Sequence, residues 1–178
     1  MIKETYVNSE NKHAVREFLF NHFEFNKIVG LAGPDINEYI QWCKKKNYNE
    51  FEIWENNPLM AMNQLSKVKH PVSYKFGNII NTSIEENVLY DLDYCVSVRY
   101  MQDHIKKFKN NFIMTFSTRI GVQQTIDKFF EFRRERFFIT KRIDGPGLRN
   151  KVFTTSEGKY LFTTYFDTSA MCCFAKIA

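Results

Sequence analysis

At 178 residues and 21.3 kDa, the chain is one domain's worth of sequence, long enough to bury about 70% of its extended-chain surface without disulfides or metals. Apolar residues at 44% and charged residues at 25% exclude disorder and collagen-like repeats, and no run approaches the roughly 18 uncharged apolar residues of a membrane helix. The net charge of +5 is concentrated, because eight Lys and Arg face three acids between Lys128 and Lys151 and the remainder sums to zero. The polar start, MIKETYVNSENKH, is unlike a secretory leader. Cys43, Cys95, Cys172 and Cys173 contain no C-x-x-C pair, so the expectation is a cytoplasmic protein with reduced thiols and no membrane partner.

In chain order, Val15, Phe18, Leu19 and Phe23 recur at helical spacing between Lys12 and Phe23, and the apolar run from Lys27 to Ala32 ends in Gly33-Pro34. This predicts helix, strand and turn. Asp35 stands three residues before Glu38, a capping-box pattern, and Ile36, Tyr39, Ile40 and Cys43 form one apolar face of a helix to about Lys46. Phe51 to Trp54 reads as a strand, and Pro58 opens a helix through Ala61, Leu65 and Val68. Val72 to Phe76 and Val88 to Leu92 are further strands, the second ending at Asp93. Val98, Met101, Ile105 and Phe108 mark an amphipathic helix to Lys109, Phe112 to Phe116 a fifth strand, and Val122, Ile126, Phe129 and Phe130 a long helix entering the basic segment. Phe137 to Ile143 fits either a strand or the end of that helix, and Tyr160 to Phe166 with Met171 to Ile177 reads as a hairpin around Asp167-Thr168-Ser169-Ala170.

Strands separated by helices need right-handed crossovers. The predicted fold is therefore α/β, an open, mostly parallel Rossmann-like sheet with helices on both faces and a C-terminal antiparallel β-hairpin, forming a single domain over 1–178. Such sheets bind ligands beyond the carboxyl ends of their strands. After the first strand stands Gly30-Leu31-Ala32-Gly33-Pro34-Asp35, whose small residues let a ligand approach the backbone but do not form G-x-G-x-x-G. Glu55-Asn56 follows the second strand, with Glu55 22 residues beyond Gly33, close to the spacing at which an acid reaches a ribose diol. Gly77-Asn78-Ile79 follows the third, where the Asn78 amide can donate to and accept from a base edge. Asp91-Leu92-Asp93-Tyr94 closes the fourth, two acids beside an aromatic ring.

The order of elements together with these strand-end residues resembles the class I S-adenosylmethionine-dependent methyltransferases over about Lys12 to Ala178. The resemblance implies S-adenosylmethionine (SAM) as cofactor, with Gly30, Leu31, Ala32 and Gly33 against its methionine part. It places Glu55 at the ribose, Asn78 and Ile79 at the adenine, Asn56 among the other cofactor-binding residues, and Asp93 beside the transferred methyl group, with Asp91 and Tyr94 completing the catalytic set. Where the family usually carries an acid in its first motif this chain has Gly30, and Asp93-Tyr94-Cys95 lacks the prolines of the D-P-P-Y motif. The basic segment 128–151, with Arg133, Arg134 and Arg136, points to a nucleic-acid acceptor. His13, His22, His70 and His104 lack H-x-x-x-H spacing, so no metal site is expected. Two other functions stay open: a methyltransferase-like binding protein without catalysis, and another nucleotide-binding α/β module.

Overall fold

The computed structural model describes residues 10–166 and 169–177. The elements run α1 (Glu10–Phe20), β1 (Lys27–Gly30), α2 (Ile36–Lys45), β2 (Glu50–Glu55), α3 (Pro58–Lys67) and β3 (Ser73–Phe76). There follow β4 (Val88–Ser97), α4 (Gln102–Lys107), β5 (Phe112–Ser117), α5 (Val122–Arg133), β6 (Phe137–Arg142), β7 (Lys151–Thr155), β8 (Gly158–Phe166) and β9 (Ala170–Lys176). Short 3-10 turns occupy Ile79–Asn81 and Val98–Tyr100.

Among the described residues, nine strands form one sheet in the order β3-β2-β1-β4-β5-β9-β8-β7-β6. The first five are parallel, as the helical crossovers require. The chain order reverses between β1 and β4, which creates the crevice where open α/β sheets bind ligands. The remaining strands are antiparallel. The expected C-terminal hairpin is present as β8–β9, with Asp167 and Thr168 of its turn outside the described residues. Its setting corrects the expectation, because β9 inserts between β5 and β8, and β7 and β6 extend the sheet further. The sheet is therefore parallel in one half and antiparallel in the other.

Alternation along the strands builds two cores. Ile28, Leu89, Ile113, Leu161 and Cys173 pack beneath Val15 and Leu19 of α1 and Ile36 and Ile40 of α2. Val29, Tyr90, Phe112, Met114 and Phe174 pack beneath Ile105 of α4 and Ile126, Phe129 and Phe130 of α5. Adjacent Cys172 and Cys173 accordingly face opposite cores.

Three boundaries differ from expectation for local reasons. The region from Val98 to Lys109 divides into a 3-10 turn and a short α4, because Ser97 caps the turn and Met101 joins the two pieces without a side-chain cap. Phe137 to Arg142 is a strand, because Arg134 takes a left-handed conformation (φ 57°) that closes α5 by donating its N–H to Glu131 and Phe130. β4 continues past Asp93, with Cys95 at φ 52° and a shift of register against β5 before Ser97. Among the described residues, no helix is long and apolar enough to cross a membrane.

Candidate functional site

The segments that follow β1, β2 and β3 and the latter part of β4 meet around a cavity of about 540 Å³, within the range of small-molecule sites. Each is held in place by its own polar contacts. Beyond β1, Leu31 donates its N–H to the Asp91 carbonyl at 3.2 Å. The Gly33 carbonyl accepts from the Gln64 amide at 2.5 Å, and the Gln64 oxygen accepts from the Tyr74 hydroxyl at 2.5 Å. Gly33 has φ 69°, a conformation costly for any residue with a Cβ. Asp35 then accepts from the Glu38 N–H at 3.0 Å, the cap expected from the sequence.

Beyond β2, Glu55 is half-buried and accepts from the Asn57 N–H at 2.8 Å, while Asn57 caps α3. Glu55 has no ion-pair partner among the described residues. Asn78 caps the following 3-10 turn by accepting from the Ile80 N–H at 3.1 Å, and Lys107 holds that turn through the carbonyls of Ile80 and Thr82. Leu31, Ala32, Gly33, Glu55, Asn56, Asn78, Ile79, Asp93 and Tyr94 all line the cavity. Gly30 and Asp91 do not; they lie side by side beneath it as partners in the β1–β4 ladder.

A Cβ on Gly30 would stand 2.6 Å from the Tyr39 hydroxyl and 3.0 Å from the Asp91 carbonyl. The ladder neighbour of Gly30 on β4 is itself an acid, Asp91. Gly30→Ala is expected to destabilise the fold by about 1 to 3 kcal/mol through this overpacking, read as a lower urea midpoint at unchanged m-value.

The sequence reading missed the wall built by α1. Lys12, His13 and Arg16 project from one side of the helix into the cavity lining. Asp91, only 2% exposed, is paired with Arg16 and accepts from the Tyr39 hydroxyl at 2.8 Å. Asp93 lies 2.6 Å from Lys12 Nζ and 3.5 Å from an Arg16 nitrogen, and accepts from the Cys95 thiol at 3.1 Å. The guanidinium of Arg16 also sits over the rings of Tyr39, Trp42 and Phe20 at 5.4 to 5.8 Å. Burial pushes the Asp91 carboxyl above its ordinary range, with Arg16 and Tyr39 opposing. For Asp93 burial pushes the same way, but Lys12 and Arg16 outweigh it and hold the carboxyl below that range. Asp93 is therefore a standing carboxylate and a poor proton acceptor.

Tyr94 stacks on Phe116 at 5.8 Å between centroids, and its hydroxyl lies 2.8 Å from His104 Nδ1. Tyr100, 80% exposed, lines the same cavity and was not anticipated. The three arginines expected at a nucleic-acid interface are not part of this lining. Arg133 turns inward, its side chain 5% exposed, donating to the carbonyls of Ile105 at 3.0 Å and Phe108 at 2.7 Å and pairing with Glu135 at 3.0 Å. It ties α5 to α4. Arg134 and Arg136 are exposed, but they follow α5, whose last turn lies beside Phe112 at the start of β5. That is the amino-terminal end of the parallel strands, opposite the cavity.

No protein-family model matches the sequence, and no curated protein matches it significantly. Solved structures do match in shape. A tRNA (m1A58) methyltransferase from Aquifex aeolicus superposes with a TM-score of 0.56 at 12% identity, over 97% of this chain and 70% of that one. A SAM-dependent methyltransferase from Leishmania major gives 0.55 at 11% identity, over 93% and 70%. A precorrin-6y C5,15-methyltransferase from Geobacter metallireducens gives 0.50 at 10% identity, over 97% and 91%. With the strand order, the crossovers and the position of the cavity, these likenesses establish that the chain has the class I SAM-dependent methyltransferase fold.

Proposed function

We propose that this chain binds SAM in the cavity beyond β1, β2, β3 and β4 and transfers its methyl group to an amine, with nucleic acid as the acceptor class. The observation that carries this reading is the convergence of those loops, drawn from separate parts of the chain, on one cavity at the reversal of strand order. The residues fit the cofactor chemically. Glu55, half-buried and without an ion-pair partner among the described residues, suits a ribose diol, which offers two hydroxyl donors. The buried Ile79 and the side-chain amide of Asn78 suit an adenine, and the first loop holds small residues where a chain lacking phosphates would lie.

When bound, SAM supplies a sulfonium methyl group that a nucleophile displaces in line. The protein's part is alignment and charge placement. Asp93, kept ionised by Lys12 and Arg16, would accept a hydrogen bond from the incoming amine and orient its lone pair; the methylated nitrogen would then give its proton to solvent water as the cofactor becomes a neutral thioether. Tyr100 offers the exposed ring against which a planar acceptor stacks, a role its exposure fits better than that of Tyr94.

Titration calorimetry with SAM and with its demethylated product tests the cofactor. Glu55→Ala is expected to weaken SAM binding about 10- to 150-fold, the loss of charged hydrogen bonds worth about 1.5 to 3 kcal/mol. Unchanged affinity in a folded variant counts decisively against the assignment. The engagement of Asp93 by two cations favours one other reading, a cofactor-binding protein without catalysis. Tight binding of both ligands with no methyl transfer to any nucleic-acid acceptor selects it.

A further inference from the structure

The antiparallel half of the sheet carries a second surface, remote from the cavity. β6 is its edge strand, and α1 packs on β8. Phe138, 71% exposed, is the register partner of Thr154, whose other neighbour is Lys159. Partners in an antiparallel ladder share a face, so Phe138, Thr154 and Lys159 lie together. Lys141 would normally point to the face opposite Phe138, three residues away. The register shift between Ile139 and Lys141 brings it opposite Val152, two residues from Thr154, and so onto the same face as Phe138. Thr140 is the extra residue, and its hydroxyl is secured by Thr154 Oγ1 at 3.0 Å.

An exposed aromatic ring is thus flanked by Lys141 and Lys159, both exposed and neither ion-paired among the described residues. Arg136 and Arg142, also exposed, continue the charge along the strand. The bulge that creates this arrangement also disfavours adding another β-strand at the edge, which weighs against a peptide or a second copy of the chain as occupant. Unpaired cations around an exposed ring fit a polyanion with flat bases. We propose that the β6 edge is a docking platform for single-stranded nucleic acid, with Phe138 stacking on a base and Lys141 and Lys159 contacting phosphates.

Resting on the methyl-transfer reading for its purpose but not for its physics, the platform deepens that reading by placing the acceptor. It stands five strand spacings, about 24 Å, from β4, so one strand must be long enough to occupy platform and cavity together.

Fluorescence anisotropy with a labelled oligouridine of about 20 nucleotides, across a salt series from about 50 mM, tests the platform. Phe138→Ala should weaken binding about 5- to 150-fold, and Lys141→Gln with Lys159→Gln should lower the salt slope by about 1.4. These side chains are exposed, and circular dichroism confirms that the variants fold. No binding by the unaltered protein, or unchanged affinity and slope in the variants, overturns the platform. Equal competition by polyglutamate together with indifference to Phe138→Ala also overturns it, leaving a generic anion patch. Calorimetry of SAM on the same samples separates the two readings: SAM binding without oligonucleotide binding removes only the platform, and the reverse removes only the cofactor.

Discussion

Arg16→Met is expected to lower unfolding stability by about 3 to 5 kcal/mol at neutral pH. Methionine keeps much of the side-chain volume, so the cost comes from charge. Asp91 is left inside the sheet, where burial already disfavours its ionised form, with the Tyr39 hydroxyl and the more distant charge of Lys12 to oppose it. Breaking a buried ion pair from one side strands the other charge, which costs far more than the pair contributes. Adding Asp91→Asn to the same chain should recover part of the loss, because a neutral amide does not need the guanidinium. Urea unfolding of the two variants reads both numbers, and a single-variant loss below about 1 kcal/mol refutes the account. The same substitution frees the wall of the cavity, so SAM affinity should fall with stability.

Asp93→Asn is expected to reduce methyl transfer about 100-fold or more, the scale of a positioned polar group in a transition state, while SAM affinity changes by no more than about threefold. The amide keeps the shape but loses the charge that Lys12 and Arg16 hold in place. Because Asp93 titrates below the ordinary carboxylate range, its contribution to rate and stability is complete above that range and is lost as pH falls through the folded value. The acid limb of methyl transfer by the unaltered protein should therefore lie below the usual carboxylate value and be absent from Asp93→Asn. Full turnover in the variant removes Asp93 from the chemistry.

The parallel half of the fold was readable in the sequence because its strands are short apolar runs and its helices carry apolar faces at regular spacing. The positions at their ends followed from topology and their expected roles from the family resemblance, and nine of the expected cofactor and catalytic residues line one cavity. What was not readable depends on contacts between distant segments. Lys12 and Arg16 look like the polar side of a surface helix, and only the placement of α1 across the strand ends turns them toward Asp91 and Asp93. β7 was missed because Lys151–Thr155 has a single buried residue, Phe153, and little alternation. Arg133 belonged by composition to a basic cluster, yet it faces the carbonyls that end α4, a partnership invisible to charge counting. The turn of β4 at Cys95 gave no warning, since no glycine marks it.

The place of β9 in the sheet also bears on how the molecule is made. A ribosome releases β1 to β5 with their helices, and then the β6–β8 ribbon, before the strand that joins them. Until then the nascent chain exposes two open edges, β5 and β8, whose central residues are all destined for burial. Ribbon pairing is local and quick, whereas β5–β9 closure brings together residues some 58 positions apart. A proline placed at Cys173 should therefore yield two half-formed bodies prone to clumping, rather than a weakened version of the whole.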